Sequence, residues 1–478
     1  MCEGSLVTAA GDEDLPFAGV SRLGELLRAG EVAPRELVEL YLGRIERLDS
    51  RLNAFVSVRA EGALAEADAA LRRLRAGDTG ALLGVPVVVK DDVDIAGELT
   101  TRGTGAQATP AGGDAEVVRR LRAAGAPILG KTALPELATC GQLTESPAYG
   151  VTHNPWDLAR TSGGTSGGTA VAIAAGLAPV GLGADGAGSI RVPAAFCGLF
   201  GLAPSRGRIS TMPDPDPWYG LTVFGGLARS VLDAALFDDA LYAPGPGGPL
   251  GPPGLEVTLA RAATGEPSRL RVAMSLKGMV PWVRPGAVAR RSVEQTAELL
   301  RSLGHRVSEC DPNYGQLSNG IAVRSLAGIA DDAARLDHPE RLGDRTRRMA
   351  RMGRALHGRA LRRARQREPS ARRRVNRIFA EHDILLTPVT AVQPCPVERW
   401  HDAGMIRTLL GGGPYVTYTA VWNYLGQPAA SVPTGLDEDG LPTAVQLAGP
   451  AGSETTIVAL AAQIEHAQPW AHRKPPVS

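Results

Sequence analysis

Amphipathic stretches and short apolar stretches alternate along most of the chain, and this alternation constrains the fold more than any other feature. Apolar residues recur at helical spacing in 24–58, which ends in a short strand-like piece, and in 114–125, 286–305 and 453–467. Apolar runs typical of buried strands lie at 82–90, 269–276, 383–389 and 442–450. This order predicts an α/β layered fold, with helices on both faces of a mixed, mostly parallel-type sheet.

Two segments depart from the alternation. Residues 243–254, APGPGGPLGPPG, are rich in Pro and Gly without periodicity, which predicts a surface loop. Residues 335–377 are dense in arginine, including RALRRARQREPSARRRVNR at 359–377. Such a run could bind an acidic partner, but we favour a solvated helix face.

The whole-chain charge is close to balanced, with 51 Lys and Arg against 50 Asp and Glu. This balance favours neither nucleic acid nor an anionic membrane as a partner. Five cysteines without CxxC spacing argue against a disulfide framework and favour a reducing compartment. The sequence starts without a signal-peptide pattern, and no apolar run approaches the ~20 residues of a membrane span. We therefore expect a cytoplasmic protein with no membrane partner.

Two glycine motifs suggest nucleotide binding but fail on their context. GAPILGKT at 125–132 fits the phosphate-loop pattern, yet a helix precedes it and its central residues are strand-like, so Lys131 is predicted to be structural. GLGADG at 181–186 fits the dinucleotide pattern, but SIRVP follows where a helix should begin. Nucleotide binding is kept as a competing hypothesis that ATP calorimetry would test.

Three features are left that can carry chemistry: Lys90 at the end of a predicted strand, the hydroxyl and glycine loop 163–169, and Ser189 in DGAGSIR. A serine hydroxyl needs a base to become a good nucleophile. No histidine lies in a suggestive motif near either loop, whereas a lysine can act as a base when apolar surroundings lower its pKa from ~10.4. The eight histidines show no metal-ligand spacing, so we expect no metal and no cofactor.

GVPVVVKDDVDIAG at 84–97 and GGTSGGTAVAIAAGLAPVGLGADGAGSIRVPAAFCGLFGLAPSRGRIS at 163–210 resemble the amidase signature family. Members of that family hydrolyse carboxamides with a Ser, cis-Ser, Lys triad. Stretches 29–58 and 426–462 extend the resemblance over most of the chain. It implies a single amidase domain over 1–478, with a core at about 70–210 and 380–470 and a variable, substrate-side region at about 210–380.

Carried over by position, the resemblance implies that Ser189 is the acyl-forming nucleophile and Lys90 its base. The family's oxyanion hole falls on the backbone N–H groups of Gly186, Ala187, Gly188 and Ser189. Glycines suit such a loop because a substrate carbonyl must approach the backbone closely. The substrate-binding residues that the resemblance suggests are Cys140, Gly141, Gln142 and Ser166.

The family's bridging cis-serine falls 24 positions before the nucleophile, where this chain has Thr165. Threonine keeps the hydroxyl but adds a methyl group and stiffens χ1. Three interpretations stay open. Thr165 relays the proton, which its unchanged hydroxyl chemistry favours; Ser166 bridges instead; or the site is impaired and the chain binds an amide without cutting it.

Charged neighbours of the two candidate residues have structural interpretations. Asp185 and Arg191 flank the nucleophile and are predicted to pin its loop through hydrogen bonds or an ion pair. Asp91 and Asp92 follow the candidate base. Since a buried carboxylate would hold a lysine in its charged form, we expect both to point away from Lys90.

The resulting hypothesis is an amidase for a small-molecule carboxamide. Lys90 deprotonates Ser189 through Thr165, Ser189 attacks the amide carbonyl, and water then releases the acid. Alternatives within this chemistry are acyl transfer to an amine and the amidase subunit of a tRNA-dependent amidotransferase; outside it, a catalytically silent binding protein. The expected partner is the amide substrate, with no nucleic acid and no membrane, and a homodimer is one oligomeric state compatible with the sequence.

Overall fold

The computed structural model describes residues 14–139, 143–242, 255–400 and 402–478. Its strands are β1 (Phe55–Val58), β2 (Val87–Lys90), β3 (Ile128–Thr132), β4 (Glu145–Ser146), β5 (Gly150–Val151), β6 (His153–Asn154), β7 (Asp157–Thr161), β8 (Val180–Asp185), β9 (Phe200–Ala203), β10 (Val223–Ala228), β11 (Arg271–Met274), β12 (Arg306–Glu309), β13 (Ile384–Pro388), β14 (Ala429–Leu436) and β15 (Pro442–Ala448).

The α-helices are α1 (Gly19–Ala29), α2 (Pro34–Leu52), α3 (Ala60–Arg75), α4 (Glu116–Ala123), α5 (Gly167–Ala174), α6 (Arg191–Cys197), α7 (Val231–Leu241), α8 (Leu259–Thr264), α9 (Ala287–Ser302), α10 (Ser318–Ala334), α11 (Asp344–Leu356), α12 (Arg359–Gln366), α13 (Glu368–Val375), α14 (Met405–Gly411), α15 (Gly413–Val416), α16 (Ala420–Leu425) and α17 (Glu454–Ala467). Short 3-10 helices lie at Leu15–Phe17, Glu136–Ala138, Pro217–Tyr219, Pro339–Arg341 and Asn376–Ala380. No α-helix in the described ranges is both long enough and apolar enough to cross a membrane.

An eleven-stranded sheet runs through the described chain in the order β1-β3-β2-β8-β10-β9-β14-β15-β13-β11-β12. Neighbouring strands are parallel in two groups of three, β3-β2-β8 near one edge and β13-β11-β12 at the other. The strands from β8 through β10, β9, β14 and β15 to β13 pair antiparallel, as does β1 with β3. The predicted α/β fold with a mixed sheet is confirmed, and its parallel pairs are confined to these two groups.

The parallel group β3-β2-β8 is buried at every position of its three strands. Val87, Val88 and Val89 of β2 are fully buried, and each contributes roughly 1.5–3 kcal/mol to folding. Helix α5 contacts β2, β3 and β8 and is built mostly from small apolar residues, all of them buried. The end of β2 and the loop that leads into α5 are therefore attached to well-packed elements.

The arginine-dense segment forms helices with exposed charge. Helices α12 and α13 cover most of 359–377, and the arginines of α12 are exposed while Leu361 and Ala364 face inwards. This agrees with the predicted solvated helix face. The loop predicted at 243–254 lies outside the described residues.

Candidate active site

Lys90 is the last residue of β2, as predicted, and its ammonium group lies at the buried centre of the candidate site. The residue is only 1% exposed. Its Nζ lies 2.7 Å from Oγ1 of Thr165, 3.0 Å from Oδ2 of Asp92 and 3.4 Å from the carbonyl oxygen of Ala184. A proton can therefore pass directly between Lys90 and the hydroxyl of Thr165.

The two aspartates that follow Lys90 point in different directions. Asp91 turns away, as expected, and its Oδ1 lies 2.7 Å from Nζ of Lys131. The expectation was wrong for Asp92, which contacts Lys90. Asp91 and Asp92 form a turn after β2, closed by the Val93 N–H on the carbonyl oxygen of Lys90 at 3.2 Å, and this turn brings the Asp92 carboxylate to the lysine.

Lys131 has a structural role, in agreement with the rejection of the phosphate-loop motif. It lies within β3, fully buried, and donates to the carbonyl oxygen of Leu99 at 2.7 Å and to Oγ1 of Thr100 at 2.8 Å. Burial raises the pKa of Asp91, while the charge of Lys131 and its hydrogen bond act in the opposite direction. An ammonium group enclosed in this way is not available to a phosphate.

The hydroxyl and glycine loop places Thr165 beside Lys90. The peptide bond between Gly164 and Thr165 is cis, and Thr165 is buried. Helix α5 begins two residues later, where a Cβ on Gly168 would lie 2.4 Å from the backbone nitrogen of Ala133. This glycine is therefore explained by the close approach of the helix to the segment after β3.

Ser166 is occupied with the backbone rather than with Lys90. Its Oγ donates to the carbonyl oxygen of Ala184 at 3.1 Å and accepts from the N–H of the same residue at 3.2 Å. Its own N–H donates to the carbonyl oxygen of Ser189 at 3.1 Å. These bonds tie the two candidate loops together and favour Thr165 over Ser166 as the residue that bridges to Lys90.

The loop that carries Ser189 joins β8 to α6. The Ser189 hydroxyl lines a cavity and makes no hydrogen bond to any described residue. The N–H of Gly188 donates to Oδ1 of Asp185 at 2.6 Å, so this donor belongs to the loop itself and we leave it out of the proposed oxyanion hole. Gly188 has a φ of +126°, and a Cβ there would lie 2.4 Å from Oγ1 of Thr419. Glycine is therefore required at this position.

Asp185 holds the loop through an ion pair with Arg191, as predicted. Both side chains are fully buried, and Nη2 of Arg191 lies 2.9 Å from Oδ1 of Asp185. Burial alone would raise the pKa of Asp185, but the charge and hydrogen bond of Arg191, with those of Ile190 N–H and Asn423, lower it to about 2. The carboxylate is therefore a charged, structural anchor for the nucleophile loop.

A cavity of about 420 Å³ brings the candidate residues together. Lys90, Thr165 and Ser189 contribute to its lining, as do Gly186 and Ala187. Most of the remaining lining comes from the segments around positions 92–102, 134–138 and 211–224, and from two residues at the end of α10 and just after it, Asp332 and Arg335. The cavity thus joins the two glycine loops to part of the 210–380 region, which was predicted to lie on the substrate side.

Some residues around the candidate site were not predicted from the sequence. Asn423 and Gln446 bind Arg191 at 2.6 Å and 2.8 Å from positions more than 200 residues away. Their signal was a single amide within each of the apolar runs VWNYL and AVQLA. Arg102, a lone charge in TTRGT, was also passed over although it lines the cavity. Cys140, Gly141 and Gln142 lie outside the described residues.

Comparison with known proteins gives matches along nearly the whole chain. The family model described as Amidase matches residues 36–458. The Mycobacterium tuberculosis protein AmiB2, which bears the name amidase, is 49% identical over 97% of this chain and 99% of its own length. An acylamidase of Rhodococcus erythropolis is 31% identical over 97% of this chain and 98% of its own length.

Solved structures give the same picture at the level of the fold. The structure of a 6-aminohexanoate cyclic dimer hydrolase in complex with its substrate superposes with a TM-score of 0.90 at 29% sequence identity. The match covers 97% of this chain and 99% of the other. The similarity therefore extends well beyond the glycine loops to the complete sheet and its helices.

Proposed function

The chain belongs to the amidase signature family and is a hydrolase that acts on amides, and from this premise we propose that it cleaves a small-molecule carboxamide through an acyl-enzyme on Ser189. The observation that carries the proposal is the 2.7 Å contact between Nζ of Lys90 and Oγ1 of Thr165 on the wall of the cavity that Ser189 also lines. The proposed base, hydroxyl relay and nucleophile line one cavity.

The first step forms the bond between Ser189 and the substrate. Lys90 in its neutral form takes the proton of the Thr165 hydroxyl while Thr165 takes the proton of Ser189. The Oγ atom of Ser189 then attacks the carbonyl carbon, and the carbonyl electron pair moves to oxygen. A hydroxyl can donate one hydrogen bond and accept others at once, so a threonine can serve as this relay as well as a serine.

The developing oxyanion needs fixed donors. The backbone N–H groups of Gly186, Ala187 and Ser189 donate to no group in the described part of the chain, and all three residues line the cavity. Each such donor contributes on the order of 3 kcal/mol in transition states of this kind. Thr419 steadies the loop by donating to the carbonyl oxygen of Ala187 at 2.7 Å.

Collapse of the tetrahedral intermediate breaks the C–N bond. The leaving nitrogen takes back the proton held by Lys90, passed through Thr165, and departs as an amine or ammonia. A water molecule then enters and gives its proton to the same relay. Its oxygen attacks the acyl carbon, and Ser189 leaves as the hydroxyl while the carboxylic acid is released.

Mass spectrometry of the intact protein after reaction with a fluorophosphonate tests the nucleophile. We expect one adduct in the wild type and in Ser370→Ala, an exposed-serine control on α13, and none in Ser189→Ala. Hydrolysis of butyryl p-nitroanilide should follow the same pattern. An adduct that persists in Ser189→Ala, or anilide hydrolysis at the wild-type rate in that variant, would contradict the proposal.

A further inference from the structure

Arg102 lies in the wall of the same cavity and has no function in the chemistry described above. It follows β2 in the segment TTRGT, and its side chain is partly buried. Among the described residues, nothing forms a hydrogen bond or an ion pair with its guanidinium group. An arginine that lines a cavity with all of its side-chain donors unused can bind a ligand there.

Contacts around Arg102 fix the backbone from which its side chain extends. Its φ is +52°, in a region that residues other than glycine seldom adopt. Its N–H donates to the carbonyl oxygen of Asp91 at 3.0 Å, and its carbonyl oxygen accepts from the N–H of Leu137 at 2.9 Å. The next residue, Gly103, packs closely against the segment after β3, because a Cβ there would lie 2.5 Å from the carbonyl oxygen of Leu134.

Unusual backbone conformations gather around this cavity. The described non-glycine residues that combine a positive φ with a place in its lining are Arg102, Leu137, Ala138 and Trp218. Such conformations cost of order 1–3 kcal/mol each in other proteins and cluster at binding and active sites. This wall of the cavity therefore contains four residues whose backbone conformation is locally unfavourable.

Most of the other charges of the cavity have partners within the protein. Asp92 contacts Lys90 at 3.0 Å, and Arg335 contacts Asp214 at 2.8 Å. Asp332 accepts a hydrogen bond from Nε1 of Trp218 at 2.9 Å.

Two lining charges are left. Arg102 acts on Asp332 through its charge without reaching ion-pair distance, so its N–H groups stay available. The carboxylate of Asp94 also has no hydrogen-bond or ion-pair partner among the described residues, and it would suit a cationic ligand.

We propose that Arg102 binds a carboxylate of the substrate, which makes the enzyme an amidase for amides that carry an anionic group. This inference rests on the proposed function of the site. Of the two unpartnered charges we assign the specificity to Arg102, because its backbone is fixed and its planar guanidinium matches a carboxylate with two parallel hydrogen bonds. A cavity of about 420 Å³ has room for a small amide and such a group together.

Matched p-nitroanilides test the assignment. Succinyl, glutaryl and adipoyl p-nitroanilides carry a terminal carboxylate on the acyl side; butyryl, pentanoyl and hexanoyl p-nitroanilides are their neutral counterparts, and β-alanyl p-nitroanilide carries an ammonium group. N-acetyl-4-aminobenzoate against N-acetyl-4-toluidine makes the same comparison on the amine side. For at least one pair we expect kcat/KM to favour the carboxylate by about 10- to 100-fold, as for a hydrogen-bonded charge.

Variants of Arg102 connect that preference to the residue. Arg102→Gln should abolish the carboxylate preference while hydrolysis of the neutral anilide continues, and Arg102→Lys should keep part of the preference. The control is Arg290→Gln, at an exposed arginine that pairs with Glu294 on α9, and this variant should leave the preference unchanged. Circular dichroism and thermal unfolding would verify that each variant is folded. The inference is overturned if kcat/KM for every carboxylated amide is equal to or below that of its neutral counterpart, or if the carboxylate preference survives in Arg102→Gln. It is also overturned if the enzyme prefers the ammonium substrate and Asp94→Asn abolishes that preference.

The proposed function has its own test in the same series. Hydrolysis of the neutral anilide that disappears in Ser189→Ala supports the acyl-enzyme whatever the charge preference. If hydrolysis of the neutral anilide depends on Ser189 but no carboxylate preference exists, the proposed function is supported and the proposed role of Arg102 is wrong.

Discussion

Asp92 and Lys90 form a buried ion pair at the candidate site, with Oδ2 of the carboxylate 3.0 Å from the ammonium nitrogen. The carboxylate is 15% exposed and the lysine 1%, so water screens the pair weakly. The same lysine contacts Thr165, which means that one amine is shared between a group that favours its charge and a group that would take part in proton transfer.

Replacing Asp92 with alanine should lower kcat, because the carboxylate 3.0 Å from Nζ of Lys90 helps to hold the amine beside Thr165. Asp92→Glu keeps a carboxylate and should retain more activity than Asp92→Ala. Steady-state hydrolysis of butyryl p-nitroanilide measures both variants, and a wild-type kcat in Asp92→Ala would separate Asp92 from the position of Lys90.

Removing the hydroxyl of Thr165 should slow the chemical step while its volume is preserved. Thr165→Val keeps the branched shape but cannot relay a proton, and we expect kcat to fall by about 10²- to 10⁴-fold. Thr165→Ser restores the hydroxyl and should remain active. Steady-state hydrolysis and fluorophosphonate labelling rates measure both variants. Turnover near the wild-type rate in Thr165→Val would reassign the relay to another group.

The buried pair of Asp185 and Arg191 should make stability fall in acid. The folded-state pKa of Asp185, about 2, lies below its ordinary value of 3.8, so its contribution is present above pH 4 and is lost as the pH falls towards 2. That contribution is on the order of 2 kcal/mol. Urea unfolding at a series of pH values, compared with Asp185→Asn, isolates it as the difference between the two curves.

The asparagine variant should also be weaker at neutral pH, because Arg191 is then left as a buried charge without its partner. Breaking such a pair costs about 3–5 kcal/mol. Asp78→Asn, at an exposed pair with Arg73, is the matched control and should change stability little. Parallel curves for the wild type and Asp185→Asn between pH 4 and 2 would contradict the depressed pKa.

A methyl group at Gly188 should disturb the nucleophile loop more than it disturbs the fold. Its Cβ would lie 2.4 Å from Oγ1 of Thr419, whereas a Cβ on Gly440, which also has a positive φ, would have no heavy atom within 4 Å. We expect Gly188→Ala to lower kcat strongly. Gly440→Ala should keep its activity and lose only about 1–2 kcal/mol of stability. Similar kcat values for the two variants would show that the loop tolerates the methyl group.

The sequence was most informative where a function depends on neighbours along the chain. The run of valines before Lys90 predicted a buried strand with the lysine at its end, because apolar β-branched residues favour that environment. The resemblance then directed attention to Thr165 and Ser189, and the structure brings all three residues to one cavity. Helix and strand positions followed from periodicity, but periodicity does not report strand direction, so the antiparallel middle of the sheet was not foreseen.

What escaped prediction depends on contacts between distant segments or on one local geometry. The partners of Arg191 include Asn423, 232 positions away, and no local pattern connects the two. The commitment of the Gly188 N–H to Asp185 depends on how the loop turns, not on which residues it contains. Asp92 was misjudged on charge alone, because the turn that follows β2 and brings its carboxylate to Lys90 is a local geometry that the sequence did not indicate.

The burial of Lys90 and Lys131 has a practical consequence for handling the enzyme. The chain contains four lysines, and these two are 1% and 0% exposed, while Lys277 and Lys474 are accessible to solvent. Side-chain coupling to an amine-reactive resin or dye will therefore be directed to the latter pair, and neither of them lines the cavity that holds Ser189. An immobilised preparation made in this way leaves the lining of that cavity chemically unmodified.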